Sequence, residues 1–193
     1  MRSTARRSTW PTAHQVLRER AVECGRVVIR RASVEDLAPV EAFYRRLSPE
    51  RRQRRFFTAA GPSSATLRHW LGDPGNVVLE AVLETGEAER VVGEAGYAPC
   101  PDGTAEVGIA VEDGWHGWLG PLLLDALVEV AAHSGVSGLT GEILVTNGRM
   151  LDLASWCGAS PSDHGDPTTV HVELDSASAA RVRLRHAPAP AAP

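Results

Sequence analysis

Residues 104–160 read TAEVGIAVEDGWHGWLGPLLLDALVEVAAHSGVSGLTGEILVTNGRMLDLASWCGAS, and their pattern decides the fold. Thr104–Val111 alternates as a strand does: Glu106, Gly108 and Ala110 share one face, and Val107, Ile109 and Val111 share the other. The aliphatic face belongs to a core, so the Glu106 face turns either to a cleft or to water. A loop carrying Gly114, Trp115, Gly117, Trp118 and Gly120 follows. It opens a segment, Leu119–Ser134, with apolar residues at helical spacing, Pro121 near its start and Gly135 to stop it. Leu139–Thr146 is strand-like and Gly148–Trp156 a short helix. A strand that runs into a glycine loop opening a helix presents unpaired N–H groups and a positive dipole end, which suit a phosphate. Glycines also let a ligand approach the backbone. A tight turn with no ligand is the plainer alternative for the same glycines.

Outward from this unit, Arg26–Arg30 is a strand, and Ser33 with Asp36 three residues on forms a capping-box-like helix start. Leu37, Val40, Tyr44 and Leu47 follow at helical spacing. Ser48-Pro49 is a second start, a cap followed by proline in the first helical position, leading into ERRQRRFF. Ser64–Leu71 is a further short-helix candidate. Val77–Leu83 and Arg90–Tyr97 are strands joined at Thr85-Gly86-Glu87, and Thr169–Leu174 is a last strand. The segments divide the chain into a flexible basic leader over 1–25 with a short helix at Gln15–Cys24, one domain over 26–175, and a disordered Ala/Pro-rich tail over 176–193. Antiparallel strands followed by a strand-loop-helix-strand unit predict an α+β sheet, mostly antiparallel but mixed, with helices on both faces. A doubly wound sheet would alternate strand and helix from its start.

Composition narrows the classes. A chain of 193 residues supports one core of ordinary size. No apolar run reaches membrane-spanning length, and the basic start lacks the apolar region of a secretory signal, so a cytoplasmic protein is expected. Cys24, Cys100 and Cys157 show no metal or disulfide spacing, and the histidines form no HxH or HExxH pattern, so no metal is expected. All 20 basic residues are arginine, and the chain has no lysine. Residues 1–60 carry 14 arginines against 6 acids, residues 61–175 carry 3 against 18, and the tail carries 3 against none. An acidic body attracts cationic partners, whereas a plain solvated surface accounts for the same counts. The arginine-rich start has few aromatics placed for stacking, so neither nucleic acid nor membrane is an expected partner. The oligomeric state is not readable from these features.

The stretch resembles the acyl-CoA-binding core of the GNAT superfamily of N-acetyltransferases, and more narrowly the acetyltransferase domain of bacterial protein lysine acetyltransferases. Arg46-Leu47-Ser48-Pro49-Glu50 with Arg54-Arg55-Phe56-Phe57 is similar to that group's RLSPES…RFF segment. Ala105-Glu106-Val107 is similar to its AEVA strand, Trp115–Gly120 stands where WQGRGLG is usual, and Asn147 with Met150-Leu151 matches N-x-x-M-L. The resemblance covers roughly residues 26–175. It implies a sheet splayed in a V between the fourth and fifth strands, acetyl-CoA as cosubstrate, and an amine acceptor, a protein lysine among the candidates. Glu106 is implied as general base, a task a carboxylate at the cleft can perform, more readily if partly buried. Backbone groups of Ile109 and Val111 are implied to pair with the pantetheine arm, and His116, Gly117, Trp118, Leu119 and Gly120 to hold the pyrophosphate. Asn147 is implied to bond the pantetheine, and a helix cap accounts for it equally well. The usual loop is Q/R-x-x-G-x-G/A. Here Trp118 occupies a glycine place, where a positive φ would strain it, and Pro121 lacks an N–H. The usual tyrosine near the last helix is missing from Leu153–Trp156. These departures support an alternative: a degenerate binding or regulatory module with weak or no turnover.

Overall fold

The structure is a computed structural model that describes residues 11–86, 88–115, 117–162 and 166–175. Residues 1–10 of the expected leader, His116 of the expected phosphate loop and the expected tail after Asp175 lie outside the described residues.

Two strands, β1 (Val16–Val22) and β2 (Gly25–Arg31), precede a 3-10 turn at Val34–Asp36 and three helices, α1 (Leu37–Arg46), α2 (Pro49–Phe56) and α3 (Ser64–Gly72). The long hairpin of β3 (Val77–Thr85) and β4 (Ala88–Pro99) leads to β5 (Ala105–Val111), α4 (Leu119–His133), β6 (Gly138–Leu144), α5 (Gly148–Trp156), β7 (Ser160–Ser162) and β8 (Thr169–Asp175). Local chemistry sets the starts of the first helices. The Ser33 hydroxyl accepts from the Glu35 amide, while the Asp36 carboxylate accepts from the Ser33 amide at 2.7 Å. Ser48 caps α2 ahead of Pro49, and Ser63 caps α3.

The strands form one sheet in the order β1-β2-β3-β4-β5-β6-β8-β7. Every neighbouring pair is antiparallel except β5 with β6. This is the expected α+β architecture, with one strand more at each end. The helix expected at Gln15–Cys24 is instead strand β1. Its Arg, Glu and Ala residues favour a helix locally, but β2 needs a partner along its free edge, and tertiary pairing overrides a weak propensity. Arg18 fastens β1 to α4 by bonding Asp125 at 2.9 Å and also Glu129.

Helices cover both faces. Leu119, Leu123 and Leu127 of α4 pack on one side against Val27, Ile29, Leu79, Ala95 and Tyr97. Val40, Phe43 and Tyr44 of α1 and Leu67 of α3 pack on the other against Val28, Val82 and Val91. Covered twice, β3 and β4 bury every residue of Val77–Leu83 and Val91–Tyr97, including Glu80 and Glu94.

The expected splay is present, and the missed first strand shifts its numbering, so it opens between β5 and β6. These strands pair only at Ala105 with Leu139 and Glu106 with Thr140. Beyond that, β5 follows β4 and β6 follows β8, each along its full length, and the two halves of the sheet part.

Candidate active site

The gap between β5 and β6 opens a cleft of about 1300 Å³. Its backbone edge follows from the ladder. The Glu112 amide donates to Val92 O at 2.9 Å, so by strand alternation Gly108 and Ala110 direct their polar groups toward β4. Val107, Ile109 and Val111 therefore direct theirs into the gap. The Val111 carbonyl is taken by Arg51 Nη1 at 3.0 Å. The Ile109 N–H and C=O and the Val111 N–H have no strand opposite them. The side chains of Val107, Ile109 and Val111 are half-buried rather than fully in the core, because the departure of β6 uncovers one flank.

The other face of β5 carries the charged groups. Arg55 of α2 lies flat over Gly108: a Cβ there would sit 2.2 Å from the guanidinium carbon, so only glycine admits this approach. Behind it, Arg55 Nε is 3.7 Å from Glu94 Oε2, and the Tyr44 hydroxyl donates to the same oxygen at 2.6 Å. Burial pushes the Tyr44 phenol well up, and the charge of Glu94 adds to this, so it remains a donor. Burial opposes the charge on Arg55, but Glu94, Tyr44 and Glu106 outweigh it and hold the guanidinium above its ordinary value. Arg55 Nε and Glu94 Oε1 are buried without hydrogen-bond partners. Glu106 stands exposed on the cleft wall, not partly buried. Phe57 and Trp156, 48% and 44% exposed, also line the cleft.

At the tip of α4 the loop differs from its expected frame. Gly114 and Gly117 take the positive φ angles, +93° and +85°, while Trp118 sits at −124° and Gly120 lies inside the helix. Trp118 is therefore not strained, because the left-handed position falls on its neighbour. The cost expected from Pro121 remains. The Leu122 amide already bonds Trp118 O and Pro121 has none, so Leu119 and Gly120 supply the unpaired N–H groups of the first turn. Leu119 itself is fully buried and faces the core. The Trp115 and Trp118 rings meet edge-on at 6.1 Å, half-buried against the α4 core, and line the cleft without filling it. Asn147 stands at the N-cap position of α5 but makes no side-chain cap bond, and its half-buried amide lines the cleft.

The described residues thus bring Glu106, Ile109, Val111, Gly117, Trp118, Gly120 and Asn147 to one cleft, with Leu119 behind the tip. Sequence reading missed Arg51, Arg54 and Arg55. Their i, i+3, i+4 spacing marks one face of α2, a signal that was available. It also missed Arg20, which lay in the supposed leader and whose guanidinium carbon stands 4.5 Å from the centre of the Trp118 ring. Among the described residues no cluster of His, Cys, Asp or Glu could hold a metal ion, and no helix is long and apolar enough to cross a membrane.

No family model and no curated protein matches the chain. Solved structures do. The GNAT domain of S. lividans PAT superposes with a TM-score of 0.72 at 22% identity, over 83% of this chain and 96% of that one. An acetyltransferase of the GNAT family from Streptococcus pneumoniae gives 0.63 at 20%, over 76% and 97%. The yncA protein of Salmonella typhimurium, solved with its cofactor acetyl-CoA, gives 0.62 at 18%, over 78% and 94%.

Proposed function

We propose that this chain, which has the GNAT fold, moves an acetyl group from acetyl-CoA to an amine, a protein lysine among the acceptors, with Glu106 as general base. One observation carries the reading: β6 parts from β5 after Glu106, leaving the Ile109 N–H and C=O and the Val111 N–H facing a cleft of about 1300 Å³. The extended amide chain of pantetheine can bond such an edge as an added strand does. The free amide of Asn147 and the Leu119 and Gly120 N–H groups suit the rest of the donor.

The chemistry follows from placement. An amide of the β5 edge aimed at the thioester carbonyl polarises it and holds the developing negative charge. The amine comes from the Glu106 face, loses a proton to that carboxylate directly or through water, and attacks the carbonyl carbon. The carbon–sulfur bond then breaks and the thiolate leaves with the electron pair. None of Cys24, Cys100 and Cys157 lines the cleft, which favours direct transfer over a covalent enzyme intermediate. Holding both reactants in one cleft removes most of the encounter entropy.

The rival reading, a binding or regulatory module, draws on Pro121, which removes a donor from the helix tip. Thermal melts decide between them: about 1 mM acetyl-CoA should raise the Tm of a competent chain by mass action. An unchanged Tm overturns the enzyme reading. Given binding, Glu106→Gln should cut kcat by about 10²–10⁴ and leave acetyl-CoA affinity unchanged. Undiminished turnover removes Glu106 from the role.

A further inference from the structure

We propose that Arg20, stacked on Trp118, binds a phosphate of the donor and replaces hydrogen bonds that the α4 tip cannot supply. The proposal rests on the donor being a CoA thioester, and its test separates the two.

Arg20 is the observation, independent of the helix tip. Its neighbours' charges are spoken for: Arg18, two residues away on the same face of β1, bonds Asp125 and Glu129, and Arg51 bonds Asp113 at 2.7 Å and the Val111 carbonyl. Arg20 has no hydrogen bond or ion pair among the described residues, although residues 61–175 hold 18 acids. It stands on the cleft wall beside Trp115, Trp118 and Gly117. With its guanidinium carbon 4.5 Å over the indole, Arg20 is held by the ring face, which consumes none of its N–H groups and leaves them available to an anion. The anchoring of Arg18 on α4 holds β1 in place, so the cation is positioned before any ligand arrives.

This arrangement gives Trp118 a purpose. It is the platform for a cation that a glycine could not hold. A phosphate monoester and a diphosphate offer the same oxygens, so the two are distinguished by donor analogues and not by the fold. A planar guanidinium takes two phosphate oxygens at once, which lysine does only as a point charge.

The experiment titrates the ¹⁵N-labelled chain with CoA, 3′-dephospho-CoA and pantetheine, and reads Kd for wild type, Arg20→Gln, Arg20→Lys and Trp118→Gly. Wild-type chain that ignores CoA overturns the acetyltransferase reading, and this proposal with it. If CoA binds, Arg20→Gln should raise its Kd about 10- to 100-fold, the scale of a charge-assisted contact, and leave pantetheine unchanged. Arg20→Lys should recover part of the loss. A penalty shared by CoA and dephospho-CoA places the diphosphate at Arg20, and a penalty confined to CoA places the 3′-phosphate there; either upholds the proposal. Trp118→Gly should weaken CoA binding, the opposite of what restoring a loop glycine would do. Equal CoA affinity in Arg20→Gln and wild type overturns the proposal, as does an equal loss for pantetheine, which would mark a structural role.

Discussion

Glu80 and Glu94 face each other across β3 and β4, both with no exposed surface, yet they serve different ends. Glu80 is bonded by Arg30 of β2 at 2.8 Å, and Arg30 turns its other edge to Glu89 and Asp36, away from the cleft. Glu94 is held by Tyr44 and Arg55, and Arg55 turns its other edge to the cleft floor over Gly108. Like charges set directly opposite on adjacent strands repel. Burial pushes the Glu80 carboxyl up to about 7, so near neutrality it carries part of a proton, while Glu94 is surrounded by a cation and a phenol that donates. Burial alone therefore does not tell the two carboxylates apart. What differs is where the partner's remaining donors point: toward Glu89 and Asp36 for Arg30, toward the cleft for Arg55.

The largest break in this comparison is Arg55→Ala, which leaves Glu94 buried with its cation gone. A loss of about 3–5 kcal/mol in urea unfolding is expected, and a loss under about 1 kcal/mol would mean that the pair does not hold the cleft floor. Next comes the pH dependence of Glu80. Its folded-state pKa of about 7 lies above the ordinary 4.5, so the folded chain binds the proton more tightly. Its contribution is full below pH 4.5, falls by roughly 3 kcal/mol as pH rises to 7, and is level above that. Glu80→Gln should flatten that window in melts taken across it, and a slope unchanged by the substitution removes Glu80 as its source. The smallest effect is Tyr44→Phe, which takes one donor from Glu94 and should cost about 1–3 kcal/mol. A cost indistinguishable from zero would show that Arg55 alone suffices.

Much of this organisation was legible before any coordinates. The alternation of Thr104–Val111, the helical period of Leu119–Ser134 and the Ser33 and Ser48 caps each lie within a short window, and each reappears in the structure. The cleft residues on β5, the α4 tip and Asn147 came from the same windows. The rest was hidden because its signal is not local. Strand β1 looks helical by composition, β7 has only three residues, and both exist because a neighbouring strand offers an edge. Buried glutamates in β3 and β4 violate any reading of one wet face, since helices cover both sides. Trp118 looked misplaced until its φ showed that Gly117 makes the turn.

The sequence by itself determined the order and type of most elements and the strand whose edge becomes the cleft, because periodicity and capping act over a few residues. Tertiary structure alone decided that β6 leaves β5 after two residue pairs, that Arg55 settles on Gly108, and that Arg20 reaches Trp118. Those outcomes join residues some thirty to a hundred positions apart, and contacts at that range are set by how the whole sheet twists and packs, which no short window of sequence encodes.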